Sequence, residues 1–170
     1  MGERIALQEY QQQLAQRLSQ AAGQAAASTH VSLVSGSGLW LMDLHDAQEI
    51  IPLPAVTRVP LVRPWLRGVT NVRGNLIAVI DVADLRGEAP TETSSDARLV
   101  VLAPRFGVSA GLLVARSGGL VNVSELESEP AADLPRWAAA AYRDRAGQRH
   151  FTLAADALVR SNEFLTAALH

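Results

Sequence analysis

Four histidines, His30, His45, His150 and His170, are the residues best suited to ligate a metal or carry a proton, and their spacing argues against both roles. None stands at an i, i+4 or His-x-His interval beside a carboxylate, the arrangement that puts two imidazoles on one face around a metal. Ser35, Ser37 or Ser109 could supply a nucleophile with His45 and Asp43. No Gly-x-Ser-x-Gly elbow frames any of them, so hydrolase chemistry rests on residue types alone. Asp81 and Asp84 could bind a cation or act as paired carboxylates, yet a strand end capping a short helix explains both with fewer assumptions. Gly36-Ser37-Gly38 and Gly118-Gly119 lack the Lys-Ser/Thr of a phosphate loop and the strand-to-helix setting of a dinucleotide fingerprint, and they read as turns. The chain has no cysteine, which excludes a disulfide framework, a thiolate metal site and a thiol nucleophile together. No cofactor, metal or catalytic residue is expected.

Recognition chemistry is better represented. From Glu49 to Gly87, a segment punctuated by Pro52, Pro54, Pro60 and Pro64 leads into Asn71-Val72-Arg73-Gly74 and then the apolar run Leu76 to Val82. Each proline fixes φ and removes a backbone donor, so the approach to Trp65 should run extended along a surface, whereas the apolar run reads as a buried strand. Arg73 would then sit on a turn held from both sides. A guanidinium fixed there can pair bidentately with a carboxylate or cap helix carbonyls. The binding residues expected are Arg73, Asn71, Val72, Gly68, Gly74 and Glu49. Each has a plainer reading: a solvated turn arginine, glycines needed for positive φ, and a surface strand charge at Glu49. Trp65 suits a core position better than an exposed anchor.

A chain of 170 residues fits one domain and can bury about 70% of its unfolded surface. Its 48% hydrophobic and 19% charged composition is globular, and a net charge of -2 gives no reason to expect nucleic acid or an anionic membrane. Residues 3–27, rich in Ala and Gln, carry Leu7, Tyr10, Leu14 and Leu18 along one helical face and suggest an N-terminal helix. Nothing in that stretch resembles a signal peptide or a spanning helix, so a cytoplasmic protein is expected. From residue 30 onward, short β-branched or apolar runs alternate with turn signals, the pattern of small barrels that leave few free edges. The polar stretch 88–97 suggests a hinge between two strand-rich halves, and Ser128 to Leu134 a second break. Trp137 to Tyr142 suggests a short helix, Arg149 to Leu153 a strand, and Asp156 to Leu169 two short helices broken near Ser161-Asn162.

Glu49-Ile50, Val59-Pro60, Trp65, Gly68-Val69, Asn71-Val72-Arg73-Gly74 and Val79-Ile80-Asp81-Val82 resemble, in order and spacing, the signature of CheW-like chemotaxis coupling proteins. The resemblance covers roughly residues 31 to 165 and continues through Leu99 to Leu102 and Ala110 to Val114. Arg63-Pro64-Trp65, Asn71 to Leu76, Gly118-Gly119-Leu120 and Phe164-Leu165 are most similar to the branch serving twitching-motility (type IV pilus) chemosensory systems. It implies a mainly β fold of two intertwined SH3-like barrel subdomains over residues 30–170, after a helical extension at 1–29, with short C-terminal helices. It also implies a non-enzymatic adaptor, recruited to membrane-associated arrays, between a chemoreceptor's cytoplasmic tip and a CheA-type histidine kinase. In that family the arginine of the Asn-x-Arg-Gly motif lies beside the receptor contact, which corresponds here to Arg73, framed by Gly68 and Gly74. Two departures stand out. Ala115 precedes Arg116 where many members carry Asp-Arg, and Leu39 to Met42 replaces a Phe-rich first hairpin. The alternative is a small β-barrel ligand-binding domain or hydrolase.

Overall fold

Burial with period two marks the first described strand, Thr29–Ser35, where every second side chain from Val31 onward is buried. The computed structural model describes residues 29–167, so the expected N-terminal helix and His170 lie outside the described residues. Among the described residues eleven strands form two sheets. The six-stranded sheet has the order β8 (Arg116–Asn122), β1 (Thr29–Ser35), β2 (Gly38–Asp43), β11 (Arg149–Leu153), β10 (Ala138–Arg143), β9 (Glu127–Glu129). The five-stranded sheet has the order β3 (Ala47–Pro52), β6 (Arg98–Leu102), β7 (Ala110–Val114), β5 (Asn75–Asp81), β4 (Leu66–Val72). Among the described residues three short α-helices accompany them: α1 (Val82–Leu85), α2 (Ala155–Val159) and α3 (Asn162–Leu165).

The first sheet is discontinuous in sequence. Its hairpin β1–β2 is left at Asp43, the chain builds all of the second sheet, and it returns after Val114 to add β8 through β11. The two subdomains are therefore intertwined, and the polar stretch 88–97 is not the hinge between them. It links α1 to β6 within the five-stranded sheet, where the Thr91 amide and hydroxyl both donate to Asp81, at 2.7 and 2.8 Å. Polarity in that stretch serves a buried acceptor, a need that sequence cannot display.

Strands β5, β6 and β7 of the five-stranded sheet bury both faces. Val72, Ile77, Val79, Leu99, Val101 and Leu113 point into its own interior. Their neighbours Ile80, Val100, Leu102, Leu112 and Val114 face outward, where they meet Val31, Leu33, Trp40 and Met42 of the other sheet and Leu158 and Phe164 of the helices. Two-sided burial explains why these strands read as continuous apolar runs and not as alternation. The β3–β4 connection closes this sheet into a barrel: the Thr57 amide donates to the Val69 carbonyl at 2.8 Å, the Val69 amide donates back at 2.9 Å, and the Thr70 hydroxyl donates to the Ala55 carbonyl at 2.8 Å.

Residues 138–143 form β10, not the expected helix. Alanines 138 to 141 favour a helix in isolation, but here they pair with β11 on one side and, through residues 141–143, with β9 on the other. Tertiary pairing overrides propensity. The C-terminal helices agree with expectation over the described residues, with the Ser161 hydroxyl accepting from the Phe164 amide to cap α3.

Candidate functional site

A two-residue hairpin loop whose strands keep the right-handed twist needs positive φ at its central residues. Arg73 at φ 51° and Gly74 at φ 87° supply it between β4 and β5, with Val72 paired to Asn75. The Asn71 side-chain oxygen accepts from the Gly74 amide at 2.9 Å and pins the loop from below. Val72, expected among the binding residues, has its side chain in the barrel interior, so it anchors the hairpin. Arg73 projects outward, its side chain 79% exposed, and its guanidinium meets Glu49 Oε2 at 2.9 Å.

Glu49 belongs to β3 and Arg73 to the β4–β5 turn, the two opposite margins of the five-stranded sheet in strand order. Their pairing reports barrel closure directly. Gly68 belongs to the same seam, beside a bulge in the β4–β5 register. Its φ is 139°, and a Cβ built there would lie 2.1 Å from the Thr57 carbonyl oxygen. Gly74, in contrast, has open space around its Cβ position. Of the two framing glycines, one is demanded by close backbone approach and the other only by conformation.

Leu76, expected at the start of a buried strand, is instead 64% exposed directly across the hairpin from Asn71, because burial in β5 begins only at Ile77. The signal that could have found it is register: a two-residue loop puts Asn71 and Leu76 on the same outward face. Arg73, Asn71, Glu49 and Leu76 thus compose one surface, cationic at its centre with an apolar flank. A second feature missed in sequence is an open cleft of about 380 Å³ whose walls include Arg58, Arg63, Arg67, Val59 and Pro64.

The residues weighed for catalysis do not converge. His45 Nδ1 lies 2.8 Å from Asp43 Oδ1, both near solvent, and hydrogen bonds from the His45 amide and ring, outweighing the upward push of burial, hold the Asp43 carboxyl below its usual range. The serines named with this pair stand elsewhere: the Arg86 guanidinium approaches Ser35, and Ser37 donates to Glu88. Asp81 is fully buried and caps α1 by accepting from the Ala83 amide at 3.2 Å. Arg67 and Thr91 occupy its oxygens too, so the capping role expected of it is filled. Burial, with the Asp81 charge beside it, raises the Asp84 carboxyl. Among the described residues no group of three or more His, Asp or Glu is placed to hold a metal ion.

A family model for the CheW-like domain matches residues 29–163. The chain belongs to the CheW-like domain family. Its relatives include the Chemotaxis protein CheV3 of Helicobacter pylori, 28% identical over 55% of this chain and 30% of that protein. Protein PilI of Pseudomonas aeruginosa is 29% identical over 46% of this chain and 44% of that protein. The Chemotaxis protein CheW of Bacillus subtilis is 34% identical over 44% and 48%. The chain spans about a third to a half of these curated relatives. Among solved structures, the scaffolding protein TtCheW from Thermoanaerobacter tengcongensis superposes with a TM-score of 0.67 over 81% of this chain and 90% of that one, at 20% identity. That likeness establishes a mainly β, CheW-like architecture of two SH3-like subdomains.

Proposed function

We propose that this CheW-like chain is a non-enzymatic adaptor that couples the cytoplasmic tip of a methyl-accepting chemoreceptor to a CheA-type histidine kinase, in a pilus chemosensory system that governs twitching motility. Relatives named for chemotaxis, together with one named PilI, support the reading. The observation that carries it is Arg73: an exposed guanidinium on a rigid two-residue loop, tethered by one ion pair to Glu49, whose own side chain is only 17% exposed.

Solvent around the guanidinium holds the pair to about 1 kcal/mol, so a partner carboxylate or a row of helix carbonyls can take over the guanidinium at small cost while Glu49 stays recessed. Asn71, Gly74 and Glu49 define the rest of the contact, Leu76 adds apolar area, and Val72 and Gly68 hold the loop in place. Affinity in the micromolar range, about -8 kcal/mol per contact, suffices when many copies are arrayed. The protein works in the cytoplasm and reaches membrane-associated arrays through its partners; among the described residues no helix is long and apolar enough to cross a membrane. A net charge of -2 gives no electrostatic reason to expect nucleic acid or an anionic lipid surface as a partner.

The test is co-sedimentation with receptor-containing membranes. Arg73→Glu should abolish it while leaving the thermal melt nearly unchanged; undiminished co-sedimentation would overturn the assignment of Arg73. Affinity capture from native lysate checks the system served, and recovery of flagellar receptors alone would remove the pilus assignment.

A further inference from the structure

A buried arginine at the boundary of two packed units demands an account, because desolvating a guanidinium is expensive and apolar residues of similar volume commonly serve stability as well or better. Arg86, just past α1 in the five-stranded subdomain, is such a residue, its side chain only 4% exposed. Its Nε donates to Glu88 Oε1 at 2.7 Å, and one Nη donates to the Ser35 carbonyl at 2.9 Å. The guanidinium carbon stands 4.4 Å from the Trp40 ring centroid. Ser35 and Trp40 belong to the β1–β2 hairpin of the other sheet. Glu88 completes the connection, accepting from the Ser37 amide at 2.9 Å. The hairpin turn is fitted to this carboxylate so closely that a Cβ on Gly36 would fall 1.9 Å from Glu88 Oε2.

We infer that Arg86 and Glu88 form an inter-sheet latch, and that Arg86 is the positioning residue that fixes how the Arg73 surface is oriented relative to the faces of the six-stranded sheet. Apolar contact between the sheets resists their separation but is non-directional, so it sets no single register. The Arg86 fork is directional. It reaches one sheet while standing on the other, and its planar geometry rejects displacements that the apolar seam would tolerate. Beside it, neither Arg86 Nη1 nor Trp40 Nε1 has a hydrogen-bond partner among the described residues, so the polar contact across the seam runs through the bonds to Ser35 and Glu88. An adaptor that relays a change at one contact to another needs its two halves to move as one body, so the functional half of this inference rests on the adaptor reading; the latch does not.

Because the chain has no cysteine, a pair of introduced cysteines can be spin-labelled cleanly. Leu76→Cys on the five-stranded sheet and Leu120→Cys on the six-stranded sheet are both exposed sites. Double electron–electron resonance should give one narrow distance in this background. Adding Arg86→Met or Glu88→Gln should broaden that distribution at least twofold or split it, and Arg86→Lys, which keeps charge without the fork, should fall between. Leu99→Ala, a cavity in the other core cluster, should lower the melting temperature and leave the distance narrow. In unlabelled protein, Arg86→Met should cut receptor-dependent kinase activation at least fivefold while capture of receptor and of kinase each stays within twofold. Narrow, unshifted distances in both Arg86→Met and Glu88→Gln overturn the latch. Broadened distances with full kinase activation overturn the positioning role. If the unsubstituted chain captures no receptor, the adaptor reading falls and the distances alone judge the latch.

Discussion

Two arginine–glutamate pairs, Arg73–Glu49 and Arg86–Glu88, use the same ions at similar separations, 2.9 and 2.7 Å, in opposite surroundings. The first arginine is 79% exposed and touches nothing that would hold it against a competitor; the second is 4% exposed, stacked on Trp40 and bonded to the backbone of another strand. Solvent around Arg73 screens the first pair to about 1 kcal/mol and leaves its guanidinium exchangeable, although Glu49, 17% exposed, is more covered than Glu88 at 33%. Burial makes the second costly to form and costly to break from one side. What separates the arginine proposed to bind from the one inferred to be architectural is therefore not residue type but how much water the fold leaves around the guanidinium.

The largest effect is expected at the seam that positions the exposed pair. Gly68→Ala drives a methyl into the Thr57 carbonyl and should destabilise the protein by about 3 kcal/mol, read by denaturant melts, whereas Gly74→Ala meets only backbone strain and should cost about 1 kcal/mol. Equal losses would mean that barrel closure is not what Gly68 serves. Truncating the buried member comes next. Arg86→Ala should cost about 2 to 3 kcal/mol, at the low end for a broken buried pair because Glu88 keeps partial access to water. Arg73→Ala should leave stability within about 1 kcal/mol of the parent while weakening receptor capture by roughly 30-fold, the equivalent of about 2 kcal/mol. A melt that fell as far as that of Arg86→Ala would erase the contrast.

The smallest effect is in the acid limb. Burial pushes the Glu88 carboxyl up, but the Ser37 amide and the Arg86 guanidinium together hold it below its ordinary 4.5. With the folded value depressed, its contribution to stability is present above the unfolded value and is lost as pH falls through the folded one. Glu88→Gln should accordingly flatten the loss of stability below about pH 4.5, compared by melts across that range. An unchanged slope would show that the buried pair carries no pH dependence of its own.

The hairpin carrying Arg73 was legible because its signals are local: an asparagine, a positive-φ glycine and flanking apolar strands are read within a few residues. The cap at Asp81 and the break at Ser161 are local in the same sense. Residues 138–143 misled for the converse reason, since alanines signal a helix until two neighbouring strands are supplied. The polar stretch 88–97 misled because its polarity answers Asp81, a side chain placed beside it only by the fold.

By itself, then, the chain's order of residues determined the strand periods, the turn that lifts Arg73 into solvent, the helix caps and the family signature, all of which depend on steric and hydrogen-bonding preferences over a few bonds. Only the tertiary structure decided that Glu49 answers Arg73, that Gly68 must lack a side chain, that Val72 faces inward, and that Arg86 is buried across two sheets. Those outcomes depend on segments far apart in the chain, which meet only when the barrel closes and the sheets stack, and on the water that closure removes.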